Sequence, residues 1–491
     1  MKLDLIYLIL IIIIPILEIE PQSINYQDIL SLTLSFTKSS QSFPPAETFE
    51  VKLGDVDQDG DLDAVFPNMG LHNSKIWFND GNGHFTDSGQ SLTQQGHGIG
   101  LSDLDNDGDL DIFMPCAIYV YNGQYKYRPT KIYFNDGAGN YTDSGQNLGD
   151  SLESKTYTDL IDIDCDGDYD AVVQHFEPPR RIYYKLYIND GNGHFNPGNI
   201  SLPENSFPNF ADLNGDGYID IFLQQENVGY SVMLNNGTGS FTASWSTEEP
   251  TATFNEKSVD LNDFDNDGDI DAFIISGSLT TSEPANVFLN DGNGNFTDSG
   301  QELGMFKWCW VESSDLDQDN DLDVVISTYG NPLQIWLNDG SANFSDSGLR
   351  LGGNYSYHGL DIGDLDGDGD KDIFVAFFGQ GSNEIWFNNS TTDVDKDDFQ
   401  GSLIKSAQLF QNFPNPFNPS TSIQYRIDSK QLVSLKVYDI LGNEVATLVN
   451  NEIAAGNYEI NFDATGLMSG IYFYQLKIDN YLETKKMLFL K

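Results

Sequence analysis

Between residues 50 and 390 the apolar positions fall in short runs, such as "AVF" from Ala64 and "IWF" from Ile76, and never at the 3.6-residue spacing of a helical face. Ahead of the first run, Val51 and Leu53 alternate with polar neighbours, as do Ile99 and Leu101, Val259 and Leu261, and Leu360 and Ile362. A period of two is that of a strand with one buried face. Each alternation leads into an aspartate-rich stretch, then an apolar run, then two aromatic-rich runs around Asn-Asp-Gly or Asn-Gly, as in "IWFNDGNGHFTDSGQSL" from Ile76. Asn and Gly tolerate the positive φ of tight turns, so this last segment predicts a hairpin. One unit therefore predicts four antiparallel strands.

The unit recurs. Its aspartate stretches begin at Asp55, Asp103, Asp162, Asp212, Asp263, Asp315 and Asp364, a period of about 51 residues. Periods of this size belong to propellers, solenoids or arrays, and four antiparallel strands are the content of one propeller blade. The seventh unit stops at "IWFNNSTTDV" after Glu384 and lacks a final strand. Residues 35–43, "SFTKSSQSF", align with "HFTDSGQSL" from His84, so an N-terminal strand is expected to complete the last blade and remove two exposed sheet edges. The fold class expected is all-β: a seven-bladed β-propeller followed by a small C-terminal Ig-like β-sandwich.

In the aspartate stretches, side-chain oxygens at the first, third, fifth and ninth positions, with a turn glycine at the sixth and a backbone carbonyl at the seventh, make an oxygen cage suited to Ca2+. Magnesium keeps more water and fewer protein ligands. The expected ligands are Asp55, Asp57, Asp59, Asp61 and Asp63 in the first loop; Asp103, Asp105, Asp107, Asp109 and Asp111 in the second; and Asp162, Asp164, Asp166, Asp168 and Asp170 in the third. The fourth offers Asp212, Asn214, Asp216, Tyr218 and Asp220, with Tyr218 contributing only its carbonyl. The fifth offers Asp263, Asp265, Asp267, Asp269 and Asp271, the sixth Asp315, Asp317, Asp319, Asp321 and Asp323, and the seventh Asp364, Asp366, Asp368, Asp370 and Asp372. In the sixth loop Asn320 stands where the others have glycine, a replacement that the left-handed region accommodates. Up to seven structural Ca2+ ions are expected.

The formal net charge of −51 is concentrated in these loops, and cation uptake would offset much of the repulsion. Nucleic acid and anionic membranes are poor partners for such a body. Cys116, Cys165 and Cys309 are odd in number and widely spaced, so no disulfide framework is indicated, although one bridge is compatible with the count. The apolar run Leu5–Leu17 behind a charged start is too short for a stable membrane span and suits a secretory signal over residues 1–22.

The loops and hairpins resemble the FG-GAP/VCBS repeat family, whose members look like integrin α-subunit propellers with calcium held in blade loops. The resemblance covers about residues 35–390 within a propeller assigned to 23–390. After an acidic linker, 391–408, composition changes to alternating short strands punctuated by Pro and Gly over 409–491. There "NPFNPST", "YDILGNEV", "LMSGIYFYQL" and the basic, apolar ending resemble the type A C-terminal sorting domain of type IX secretion. That resemblance implies the type IX secretion machinery as a partner, and a secreted or outer-cell-surface location.

No nucleophile elbow, zinc-binding histidine pair or phosphate-cradling loop appears. The expectation is a non-catalytic binding or adhesion module for a glycan or surface protein. An extracellular polysaccharide lyase or hydrolase is the alternative, and a spacer without a ligand is the third reading. The strand parity opposite the apolar one should face a central channel. It places Lys52, Gly100, Asp159, Asn209, Asp260, Glu312 and Asp361 three residues before the loops, and Tyr157, Phe207 and Trp310 five before. Tyr157, Phe207, Trp310 and Glu312 are the candidate ligand contacts, because rings beside carboxylates suit a sugar; packing within the channel is the competing role.

Overall fold

The computed structural model describes residues 34–390 and 407–489, apart from 45–46, 69–71, 93–95, 117–118, 122–123, 127, 150–153, 178–180, 226–227, 248–257, 278–280, 355–356, 378–380, 410–411, 413–416, 428–429, 440–443, 455, 468–469 and 479–480. The expected signal segment and nearly all of the acidic linker lie outside the described residues. The chain divides into two units, 1–395 and 396–491.

Every regular element of the described residues is a strand. Among the described residues the first unit contains seven antiparallel sheets, one for each aspartate loop and numbered in the order of those loops, and a two-stranded sheet of Tyr119–Tyr121 and Gln124–Lys126. Sheet 1 pairs Lys52–Gly54, Asp63–Phe66, Lys75–Phe78 and Thr86–Asp87 in sequence order, and the loop at 55–63 joins its first two strands. Sheets 2 to 6 repeat this order; sheet 5 adds a fifth strand, Leu303–Phe306, against its third. Sheet 7 supplies three strands, Tyr357–Gly363, Asp372–Phe377 and Glu384–Asn388, and Phe36–Lys38 pairs with the last of them as the fourth. Lys38 adds an ion pair to Glu384 at 2.5 Å.

The first strands lie side by side in a cyclic series: sheet 1 by 2, 2 by 3, 4 by 5, 5 by 6, 6 by 7, and 7 by 1. The apolar parity of these strands is buried between sheets, with Val51, Ile99, Val259 and Leu360 at 0 to 8% exposure. The arrangement is β-propeller-like.

One bond recurs at every junction. The asparagine that opens each hairpin sends its Nδ2 to the carbonyl of the second loop residue in the preceding sheet: Asn135 to Val56, Asn189 to Leu104, Asn235 to Ile163, Asn290 to Leu213, Asn338 to Phe264 and Asn388 to Leu316, at 2.7 to 2.9 Å. Asn79 closes the series by reaching Leu365 at 2.8 Å. The acceptors are backbone carbonyls within the interior, where an unpaired oxygen costs about 1 to 3 kcal/mol.

A second tie is found at four junctions. Gln90, from the "TDSGQ" end of sheet 1, accepts from Tyr141 N–H and donates to Gly139 of sheet 2. Gln146 does the same to Phe195 and Gly193, Gln301 to Phe344 and Ala342, and Gln41 grips the N–H and carbonyl of Phe85.

The second unit has a three-stranded sheet, in which Ser420–Ile427 lies between Ala407–Leu409 and Gly456–Asp463, and a four-stranded sheet built from residues 431–453 and 470–489. Side chains of both sheets share one core, including Tyr425, Phe462, Leu435, Tyr474 and Phe489. Its first strand starts at Ala407, two residues inside the stretch expected as linker.

Candidate metal centres and the cavity between the first strands

The seven aspartate loops have one internal wiring. The first-position carboxylate accepts from the backbone N–H at the sixth position, as from Gly60 to Asp55, in all seven. The fifth-position carboxylate accepts from the N–H at the seventh, as from Asp61 to Asp59. The ninth is buried and accepts twice: one oxygen from the second loop residue, as Val56 to Asp63, and the other from the hairpin asparagine, as Asn79 to Asp63. That asparagine thus joins its own loop to the neighbouring one.

These bonds leave oxygens over. One buried carboxylate oxygen each of Asp57, Asp105, Asp164, Asp317 and Asp366 has no hydrogen-bond partner. Ligand atoms of Asp55, Asp57 and Asp63 lie within 4.8 Å of one another, and the same holds for Asp103, Asp105 and Asp111; Asp162, Asp164 and Asp170; Asp263, Asp265 and Asp271; and Asp315, Asp317 and Asp319. Burial pushes Asp63, Asp111, Asp170, Asp271 and Asp372 up to about 7 and Asp323 up to about 8, against the pull of their N–H donors. Asp57, Asp105 and Asp164 are raised by burial and by the fifth-position carboxylate beside them. Converging carboxylates that resist ionisation alone become stable once a cation sits among them. The donor set is all oxygen, which fits a hard divalent ion and gives no soft ligand for zinc or copper.

The backbone explains the loop spelling. Gly60 and its counterparts have φ near +95°, and Asn320 takes the glycine role at φ 72°. The fourth position is also left-handed, with Gln58 at 60°, Asn106 at 62°, Cys165 at 63°, Asn266 at 61° and Gln318 at 65°. This second constraint is absent from the ligand pattern and was not foreseen from it. The seventh-position carboxylate stands over a hairpin glycine: a Cβ on Gly81 would fall 2.4 Å from Asp61. In loop 4 the Tyr218 ring covers Gly237 in the same way.

A cavity of about 450 Å³ lies between the first strands, with Lys52, Asp159, Asn209, Asp260 and Glu312 on its wall. Burial works against the Lys52 ammonium, yet Asp361, Glu312, Glu50 and Asp159 hold its pKa well above the usual lysine range. Asp361 also accepts from the Leu53 N–H at 2.9 Å. Of the candidate ligand contacts, Glu312 borders this cavity, while the three aromatics are buried: Tyr157 at 6%, Phe207 at 8% and Trp310 at 3% exposure. Tyr157 and Trp310 pack edge to face at 6.1 Å, and Trp310 also meets His358. Tyr157 and Trp310 pack on one another and Phe207 packs in a cluster with Val259 and Phe288, which favours the competing role of channel packing.

Sequence reasoning missed the two histidines of this layer. Phe49 stacks on His97 at 4.3 Å and meets His358 at 4.8 Å; burial lowers both imidazoles to about 4. His97 and His358 are separated in sequence, and only the strand register brings them together. His84 and His194 are exposed hairpin residues. Cys116, Cys165 and Cys309 form no disulfide, so the bridge left open by their count is not made; burial pushes the Cys116 thiol up to about 11.

Residues 55–114, 212–274 and 315–375 match the FG-GAP-like repeat, and residues 411–490 match the secretion system C-terminal sorting domain. No curated protein matches the chain. Among solved structures, similarity extends to PorZ, a bacterial surface component of the type IX secretion system of Porphyromonas gingivalis, at 14% identity and a TM-score of 0.43, over 92% of this chain and 61% of that one. A fungal alcohol oxidase in complex with copper gives 12% identity and 0.48, over 93% of this chain and 100% of that one. The core factor of S. cerevisiae gives 9% and 0.40, over 74% and 62%. Scores this low carry no functional argument, and the fold rests on the sheets described above. No helix among the described residues is long and apolar enough to cross a membrane. The chain carries FG-GAP-like repeats ahead of a type IX C-terminal sorting domain, which directs it to secretion or to the outer cell surface.

Proposed function

We propose that the first unit is a seven-bladed, calcium-stabilised β-propeller that acts outside the cell as a non-catalytic binding module, and that the second is an Ig-like sandwich read by the type IX secretion machinery. The observation that carries this reading is the cyclic repetition of one wiring: seven loops, each with its first-position carboxylate bonded to the sixth N–H and each bonded to the next sheet by the same asparagine. Calcium is the hard cation abundant outside cells at the roughly 10⁻⁴ to 10⁻³ M that weak extracellular sites need. The ligand site in this reading is the polar cavity, where Glu312 and Asp260 accept from hydroxyls and Lys52 donates.

The test is a glycan and polysaccharide binding screen of the full chain, in calcium and in chelator. Saturable binding that Glu312→Gln weakens at least tenfold supports a binding module with its site in the cavity. Release of product from a polysaccharide would establish the lyase or hydrolase alternative. Absence of any saturable binding would leave a spacer.

A further inference from the structure

The fourth loop position has no ligand role, yet its side chain is used. Gln58 of loop 1 donates to the carboxylate of Asp109, the seventh residue of loop 2, and also reaches the Gly108 carbonyl. Asn106 of loop 2 donates to Asp168 of loop 3 at 2.6 Å. Asn266 of loop 5 donates to Asp321 of loop 6 at 2.8 Å, and Gln318 of loop 6 to Asp370 of loop 7. Elsewhere the parts are missing: Cys165 and Tyr218 stand at the two positions between loops 3 and 4, Gly215 has no side chain to reach loop 5, and Gly367 has none to reach loop 1.

We propose that Gln58, Asn106, Asn266 and Gln318 couple the metal loops into two trios, loops 1 to 3 and loops 5 to 7, which fill with calcium as units while loop 4 fills alone. The proposal rests on the calcium reading above. Each coupling residue sits in the left-handed conformation between two ligand positions, so an ion that fixes those positions also fixes the amide. The fixed amide holds the carboxylate of the next loop's seventh residue, the residue that offers its carbonyl to the next ion. The second ion then meets a loop already ordered, and less ordering entropy opposes its binding. By linkage the effect is reciprocal within each trio.

The experiment follows hydrogen exchange of loop peptides in the full chain across a calcium series. In Asp105→Ala, which removes a ligand of loop 2, loops 1 and 3 should need about fivefold or more additional calcium for protection, the low end of ordinary coupling, while loop 4 is unchanged. Asn106→Gly keeps every ligand and the left-handed backbone that Gly215 and Gly367 have at this position, and removes one exposed side chain. It should shift loops 2 and 3 and leave loops 5 to 7 alone. Cys165→Asn with Tyr218→Asp should bring loop 4 into the first trio. If loop 3 responds to calcium identically in the unaltered chain, Asp105→Ala and Asn106→Gly, the coupling is wrong and the calcium reading stands. If calcium changes no loop in the unaltered chain, the calcium reading fails and takes the coupling with it.

Discussion

The junctions from sheet 1 to 2 and from 2 to 3 are built from the same repeat as those on either side of sheet 4, yet they hold their neighbours differently. The first two carry the asparagine bond, the two-pronged glutamine grip and the loop-to-loop amide. On the two sides of sheet 4, among the described residues, the asparagine bond is present without the glutamine grip or the loop-to-loop amide, and Tyr230 adds a hydrogen bond to Ser276 of sheet 5 at 2.6 Å. Apolar contacts replace the rest. The Gly198 N–H bond to Leu186 matches that of Ser88 to Ile76, which puts Ile200 at the place of Gln90, and Ile200 packs in a cluster with Phe241. Across the other side, Trp245 lies against Phe288 and Phe296 at ring distances of 6.5 and 5.5 Å. Asparagine is the shared device because it alone joins the ninth-position aspartate of one loop to the backbone of another; the remaining ties are interchangeable with packing. Directional bonds fix a single register between sheets, whereas apolar contact tolerates small slips.

The largest way to test this contrast is to remove calcium. Each filled loop adds about 2.7 kcal/mol of stability at a hundredfold excess over its dissociation constant, so chelation should lower the melting temperature of the first unit more than any single substitution. Exchange protection should be lost first over residues 206–246. Equal loss in all seven sheets would remove the distinction between sheet 4 and the rest.

Next in size are the asparagines themselves. Asn235→Ala strips donors from the Ile163 and Ile219 carbonyls, and Asn135→Ala from Val56 and Leu110. Each should cost about 2 to 4 kcal/mol by urea unfolding, since a buried acceptor left bare costs about 1 to 3. The two variants should differ in local opening. With no second tie at its junction, Asn235→Ala should expose the amides of 162–168 to exchange, while Gln58 and Gln90 keep the Asn135→Ala junction closed.

The inner layer gives a third test, through pH. His97 and His358 are neutral in the folded protein, with pKa values near 4 against 6.5 for a free imidazole. The unfolded chain takes up their protons first, so the stability they contribute is complete above about pH 6.5 and is lost as pH falls toward 4. Replacing both by Phe should flatten the urea midpoint in that window; the loop carboxylates leave a residual slope. An unchanged profile would mean that water reaches these rings.

Much of this was readable in the chain because it repeats. Seven copies of one loop made readable the carboxylate positions, the strand order and the parity that buries Val51 and turns Lys52 to the cavity, since strand and turn signals are local. The roles of Asn79, Gln90 and Gln58 were not readable, although each recurs visibly. The partners of Gln58 and Gln90 lie about fifty residues away in the next sheet and that of Asn79 lies 286 residues away in the preceding one, and a repeat spells out each unit without stating which atoms of adjacent units meet. Asn79 was legible as a turn former and Gln90 as part of "TDSGQ"; their second use depends on docking. The role of the aromatic layer was left between two readings for a related reason. Parity pointed Tyr157 and Trp310 inward correctly, and only the packed distances show that they fill the space instead of lining it.

The smallest expected effect sharpens the contrast most directly. Gln146→Ala removes the grip on Phe195 and Gly193 at a junction that keeps Asn189 and Asn106, so about 1 kcal/mol should be lost, with no local opening. Ile200→Gln moves the same grip to the junction between sheets 3 and 4, giving up part of the contact near Phe241 for two bonds to backbone. Exchange of apolar burial for neutral hydrogen bonds should leave global stability within about 1 kcal/mol of the parent. What should change is protection at 239–241, which rises if the glutamine finds the N–H and carbonyl that its counterparts find. A fall in both stability and protection would show that sheet 4 is seated at a different height from its neighbours, and that its apolar junctions are a geometric necessity.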